Sequence, residues 1–232
     1  MPHLYPGALP LPSFRPREHL AAGLASEFFR LARLLFFTST SLPLSTVLVT
    51  GCAGFIGSHL CERLLHDGYR VVGVDNFDPF YPRAVKEQNL AAFAGHPHFS
   101  FYEADLRQGP GALPAVQADV VVHLAAKAGV GPSVQEPAAY LECNVMGTMH
   151  LLEWMRQQGI GKLFFASSSS VYGNASEKPF REDLNTLATC ISPYAASKLA
   201  GEELVHTYHH LYRLDALNAR FFTVYGPGSA PI

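Results

Sequence analysis

The run Val47-Leu-Val-Thr-Gly-Cys-Ala-Gly-Phe-Ile-Gly-Ser-His59 leaves the chain few choices of fold. Residues of strand character, Val47 to Thr50, pass straight into glycines at Gly51, Gly54 and Gly57. A helical pattern follows, with Phe55, Ile56, His59, Leu60, Leu64 and Leu65 on one side. Strand, tight turn and helix in that order suit a pyrophosphate. Gly51 turns the chain, Gly54 lets backbone approach phosphate oxygens, and Gly57 lets helix and strand pack closely. The first helical turn, from Phe55 and Ile56, then offers free N–H groups and a positive dipole end to the anion.

Downstream, short apolar runs alternate with helical patterns. The strands read as Val47 to Thr50, Arg70 to Asp75, Phe99 to Glu103, Asp119 to Leu124, Lys162 to Ala166 and Asp215 to Phe222. The first helix closes near Gly68, and two long helices are expected at Pro137 to Gln158 and Pro193 to Tyr212. Such alternation predicts an α/β fold, a Rossmann-type doubly wound parallel sheet in the order 3-2-1-4-5-6. In that topology ligands lie beyond the carboxyl ends of the strands, near the reversal of strand order. Gly51, Asp75, Asp105, the segment from His123 to Ala126, the serines 167–170 and the segment from Phe222 to Tyr225 all fall there.

Residues 46–232 therefore read as one nucleotide-binding domain and residues 1–45 as an extension of separate character. Pro2, Pro6, Pro10, Pro12 and Pro16 keep its start irregular, and Leu20, Leu24, Phe28, Leu31 and Leu35 then take helical spacing. Apolar residues make up 48% and charged ones 16% of the 232, enough for a substantial core. A net charge of −2 gives no electrostatic case for nucleic acid. The uncharged run from Leu34 to His59 is broken by Pro43 and the glycines, so no membrane span is expected. Cys52, Cys61, Cys143 and Cys190 show no metal spacing, which favours free thiols in a reducing, cytoplasmic setting. His206, His209 and His210 share a helix without a carboxylate or cysteine at metal spacing, so no metal site is expected.

Asp75 closes the second strand 18 residues after Gly57. Its carboxylate can accept from both hydroxyls of an adenosine ribose and repel a 2′-phosphate, which favours NAD over NADP. Asn76 follows it, and Asp105 with Leu106 can reach the adenine. Tyr194 and Lys198, four apart on a helix, can turn phenol and ammonium into one cleft. A free phenol titrates at about 10, and a cation beside it favours the phenolate. Serines 167–170 supply hydroxyls to bridge that phenol to a substrate oxygen.

Taken together, Thr50-Gly-Cys-Ala-Gly-Phe-Ile-Gly57, Asp75-Asn-Phe, His123-Leu-Ala-Ala126, Ser167-Ser-Ser-Ser-Val-Tyr-Gly173, Tyr194-x-x-x-Lys198 and Arg220-Phe-Phe-Thr-Val-Tyr-Gly-Pro227 resemble the NAD-dependent epimerase/dehydratase family. This is a family of extended short-chain dehydrogenases/reductases. Within it, Asp75-Asn-Phe-Asp-Pro-Phe-Tyr81 and the Arg220 segment are most similar to UDP-glucuronate 4-epimerases. The resemblance implies NAD as cofactor, with Gly51, Gly54, Phe55, Ile56, Gly57, Asp75, Asn76, Asp105, Leu106, Leu124, Ala125, Ala126, Tyr194 and Lys198 around it. It implies a UDP-sugar substrate and catalysis by Ser168, Tyr194 and Lys198 through a transient 4-keto sugar. Ser169 and Ser170 stand where dehydratases carry Asp-Glu and where decarboxylases carry Glu before the Val, which points away from both. The resemblance also implies a possible homodimer, since relatives often pair through helices that correspond to Pro137 to Gln158 and Pro193 to Tyr212. Two departures are expected to matter. Ala230-Pro231 replaces an Arg-Pro that grips a sugar carboxylate, and the C-terminal substrate lobe is missing before the chain ends at Ile232. A non-catalytic NAD-binding module, or a nucleotide-sugar dehydrogenase or reductase, is the alternative reading.

Overall fold

The computed structural model describes residues 45–184, 186 and 189–226. The expected helix between Leu20 and Leu35, and the substitution at Ala230-Pro231, lie outside them. Six parallel strands form one sheet in the order β3-β2-β1-β4-β5-β6, the expected doubly wound topology. They are β1 (Thr46–Thr50), β2 (Arg70–Asp75), β3 (Phe99–Glu103), β4 (Val120–His123), β5 (Lys162–Ser168) and β6 (Asp215–Phe221).

Alternation along each strand builds two cores. Val47 and Val49 of β1, with Val120, Val122 and Phe164, face Leu60, Cys61, Leu64 and Leu65 of α1 (Phe55–His66) and Leu90 of α2 (Arg83–Ala91). Leu48, Val121, Leu163 and Phe165 point the other way, toward Leu151, Leu152, Trp154 and Met155 of a helix after β4 and Val205 of the long helix before β6. Period-two side chains covered on both faces are what a parallel sheet requires. Leu48 is fully buried, so truncating it to Ala would cost about 2–5 kcal/mol.

Several boundaries differ from expectation; β1 begins one residue earlier, at Thr46, and β6 ends one earlier, at Phe221. β5 runs two residues further than Ala166, so Ser167 and Ser168 belong to the strand and the 3₁₀ turn Ser169–Tyr172 follows. Its pairing with β6, from Lys162 opposite Asp215 to Ser168 opposite Phe221, carries it onward. Asp119 and Leu124 lie outside β4, and Asp119 instead accepts from the Thr46 N–H at 2.7 Å. The expected helix from Pro137 to Gln158 is interrupted. It comprises α4 (Pro137–Leu141), a wide π turn (Glu142–Met146) and α5 (Gly147–Gln158), preceded by the short α3 (Val130–Gln135). The last helix, α6, spans Pro193–Tyr212 and starts on Ser192, whose hydroxyl accepts from the Ala195 N–H at 3.1 Å. Among the described residues no helix is long and apolar enough to cross a membrane.

Candidate functional site

The glycine turn between β1 and α1 is packed too tightly for other residues. Gly51 sits at φ +73°, and a Cβ there would lie 2.8 Å from the Ala125 nitrogen. A Cβ on Gly57 would lie 2.1 Å from the Gly51 carbonyl oxygen, inside any permissible contact. The Gly51 N–H donates to the Val74 carbonyl at 2.7 Å, which pins the turn to the end of β2. Gly54 is the N-cap of α1 and brings no capping side chain. The first-turn N–H groups, including those of Phe55 and Ile56, therefore keep the positive helix end open to an anion. This cradle of glycine backbone fits the pyrophosphate of a dinucleotide.

Asp75 is buried at the tip of β2. Its Oδ2 accepts from the Ala53 N–H at 3.2 Å, and its Oδ1 from the Phe77 N–H at 2.8 Å and Lys86 Nζ at 3.0 Å. An ionised carboxylate has roughly four lone-pair directions, and three are taken. An incoming ribose would share this carboxylate with those three donors. Beside it, Asn76 Nδ2 donates to Asp105 Oδ2 at 3.2 Å. Arg107 clasps the same carboxylate and is the main reason its pKa falls to about 2. Leu106 is buried immediately after.

At the end of β4 a chain of hydrogen bonds fixes the loop of Leu124, Ala125 and Ala126. Thr148 Oγ1 donates to the Asn144 carbonyl at 2.6 Å, so its oxygen accepts from His123 Nε2 at 2.9 Å. The opposite ring nitrogen then accepts from Thr50 Oγ1 at 2.7 Å, and that oxygen accepts from the Ala125 N–H at 3.2 Å. Burial, reinforced by the Lys198 charge, pushes the His123 pKa down to about 3, so the ring is neutral. The Leu124 N–H donates to the Thr50 carbonyl at 3.2 Å.

Ser168 and Tyr194 meet at the carboxyl end of β5. The Ser168 hydroxyl donates to Ser170 Oγ at 3.0 Å; its nearness draws the Tyr194 phenol pKa down, but burial has the larger effect and holds it above the ordinary value. Lys198 lies one helical turn beyond Tyr194. Its Nζ donates to the Ala166 carbonyl at 2.8 Å, and burial lowers its pKa to about 8. An ammonium depressing the phenol pKa was expected; here its hydrogen bond runs to the β5 backbone, and the net shift of the phenol is upward.

Two residues escaped the sequence reading. Asn144, in the π turn, holds Lys127 from both sides, its Oδ1 accepting from the Lys127 N–H at 2.8 Å and its Nδ2 donating to the Lys127 carbonyl at 2.9 Å. The same Nδ2 reaches Ser197 Oγ at 2.9 Å on α6, tying the loop after β4 to the helix of Tyr194. Lys86 is the other. Its one available signal was position, since it shares a helix face with Leu90 four residues on, and both are buried. Among the described residues no group of His, Cys, Asp or Glu could hold a metal ion.

A doubly wound sheet, a glycine turn and a Ser-Tyr-Lys set at the carboxyl ends of its strands together define a scaffold of the short-chain dehydrogenase/reductase type. The family model of the NAD dependent epimerase/dehydratase family matches residues 47–231, and the chain belongs to that family. It is 45% identical over 188 residues to a UDP-glucuronate 4-epimerase of Thermodesulfobacterium geofontis, a match covering 79% of this chain and 57% of that protein. The crystal structure of UDP-glucuronic acid 4-epimerase from Bacillus cereus in complex with UDP-glucuronic acid and NAD superposes with a TM-score of 0.73 at 39% identity, covering 80% of this chain and 59% of that one. A UDP-N-acetylglucosamine 4-epimerase from Methanobrevibacter ruminantium gives 0.72 at 34% identity, with coverage of 82% and 58%. The chain thus spans somewhat over half the length of these relatives.

Proposed function

We propose that this chain binds NAD across the glycine turn and serves a UDP-sugar 4-epimerase, with UDP-glucuronate or a related UDP-sugar as substrate. The carrying observation is the placement of Ser168 at the carboxyl end of β5 and of Tyr194 and Lys198 one turn apart on α6, with Lys198 bonded to the β5 backbone, beside a glycine cradle. Bound NAD would supply a hydride acceptor for C4 and return the hydride to the other face of the 4-keto sugar. Tyr194 takes the proton from the 4-hydroxyl and gives it back on the return step. Ser168 orients both oxygens. Lys198, held at the β5 backbone, provides the nearby cation that an incoming ribose hydroxyl can share. Gly51, Gly54 and Gly57 seat the pyrophosphate, Asp75 and Asn76 the adenosine ribose, Asp105 and Leu106 the adenine, and the segment from Leu124 to Ala126 the middle of the dinucleotide.

The test is an HPLC assay of the purified chain with UDP-glucuronate and UDP-glucose. Appearance of the 4-epimer without net NADH supports the proposal. Net NADH marks a dehydrogenase instead. Retention of NAD with no sugar turnover marks the second reading, an NAD-binding module. The proposal extends to a cytoplasmic homodimer, supported by four free cysteines and by exposed Leu141, Met146, Leu211 and Tyr212 on the two helical segments.

A further inference from the structure

On α6, Tyr194, Lys198 and Glu202 follow one another at intervals of four residues and so share one face. The first two have roles in the proposed reaction. Glu202 has none, yet it is buried, and a buried charge persists only where it is well paired. Its partners come from two strands. The Ser167 hydroxyl of β5 donates to Glu202 Oε1, and the Arg220 guanidinium of β6 donates from Nε to Oε1 at 2.9 Å and from Nη2 to Oε2 at 2.7 Å. Ser167 and Arg220 stand opposite each other in the β5–β6 register, so one carboxylate closes a cross-strand pair from the helix side.

Gly201 makes that reach possible. A Cβ there would lie 2.4 Å from Cζ of Phe165, which is itself buried and shares with Ser167 the face of β5 turned to α6. One turn back along the helix, Lys198 Nζ donates to the Ala166 carbonyl. Two successive β5 residues, Ala166 and Ser167, are thus each held by an α6 side chain immediately before Ser168. Arg220 carries the hold past Ser168. Its guanidinium lies 5.0 Å from the ring centroid of Tyr172, which ends the 3₁₀ turn Ser169–Tyr172, and its Nη1 donates to the Glu182 carbonyl at 3.4 Å. A carboxylate gripped on both oxygens by a guanidinium fork has fixed orientation as well as balanced charge. We propose that Glu202 is a positioning residue for Ser168, Tyr194 and Lys198, locking the end of β5 against α6 through Ser167. The lock sets the height of Ser168 and of the Ala166 carbonyl against the two α6 side chains. The proposal rests on the reading of that site as the reacting centre of a 4-epimerase, and it deepens that reading.

The experiment compares the full chain with S167A and E202Q by urea unfolding, calorimetric NAD titration, HPLC kinetics on UDP-glucuronate, and NMR titration of the Lys198 ammonium. S167A opens the lock without changing any charge. It should lower kcat about 10- to 100-fold while KM and NAD affinity stay within about twofold, the pattern of misplaced reacting groups. In the same variant Lys198 should titrate above about 8, because burial depresses its pKa and a looser helix–strand contact admits water. Cys143 of the π turn and His123 of β4 are the titratable groups that act on Lys198, and both variants leave them in place. E202Q keeps an acceptor for Ser167 but breaks the charged fork, and it should show smaller changes of the same kind. Loss of unfolding free energy alone, with kcat and the Lys198 titration unchanged, overturns the proposal. Should the wild-type chain retain NAD without turning over sugar, the epimerase reading falls and the Lys198 titration decides separately: an upward shift in S167A supports the lock, and an unchanged value overturns it. Should S167A fail to give a cooperative melt, E202Q decides on the same measurements.

Discussion

Beside β2, Asp75 and Lys86 face each other under cover, and their charges cancel within 3.0 Å. Beside β5, Lys198 is buried and Tyr194 half-buried, and each is pushed by its loss of solvent toward its neutral form. Both regions lie at the carboxyl end of the sheet, on opposite sides of β1 and β4, and both combine a lysine with an acidic group. The difference is which partner each lysine has. Lys86 meets an anion, so its charge is balanced by pairing. Lys198 meets a carbonyl dipole, which satisfies a hydrogen bond without balancing the charge. The lesson is that the binding end is held by completed charge pairs, while the reacting end keeps its proton affinities within reach of a change in surroundings.

The sharpest way to break this contrast is Tyr194→Phe. Loss of the phenolic proton carrier should lower epimerisation about a thousand-fold while NAD affinity stays within about twofold. Parallel HPLC and calorimetry read both. A loss of NAD binding in that variant would mean the two ends are not separable. Next comes Gly57→Ala, where a new Cβ would press on the Gly51 carbonyl. Overpacking of this kind costs about 3 kcal/mol, and NAD binding should fall with it; urea unfolding and titration would show whether the turn is as rigid as its contacts imply. The smallest effect concerns pH. The Lys198 pKa falls from 10.5 unfolded to about 8 folded, so between those values the unfolded chain holds more protons and stability rises with pH. At about 1.4 kcal/mol per pH unit this is at most about 3 kcal/mol. Lys198→Met should remove the rise, and comparing unfolding free energies of the two proteins from pH 8 to 10 checks it.

Much of the frame was legible because it depends on period and punctuation. β2, β3 and α6 match their expected bounds, and the glycine turn announced its own packing. Less visible were features set by tertiary contact. β5 outran the apolar pattern because Ser167 and Ser168 stay paired with β6. The serine at 167 also donates to Glu202 of α6, which Arg220 of β6 grips in turn, so its partners lie far along the chain. Lys86 stood among Arg83, Glu87 and Gln88, a composition that reads as a solvated face. Asn144 fell inside an apolar helical pattern, and no spacing rule marks a wide turn.

That wide turn carries a lasting consequence. At 3.6 residues per turn, a single extra residue in a helix rotates everything beyond it by about 100°. Residues 142–146 absorb such an excess, so Tyr140 and Asn144 address the neighbouring loop and α6 while Leu151 and Met155 still meet the sheet. A deletion there would let the helix run straight and swing one set of side chains off its partners. The apparent irregularity is a gear between two phases, and a one-residue change in its length would be harder to tolerate than most substitutions.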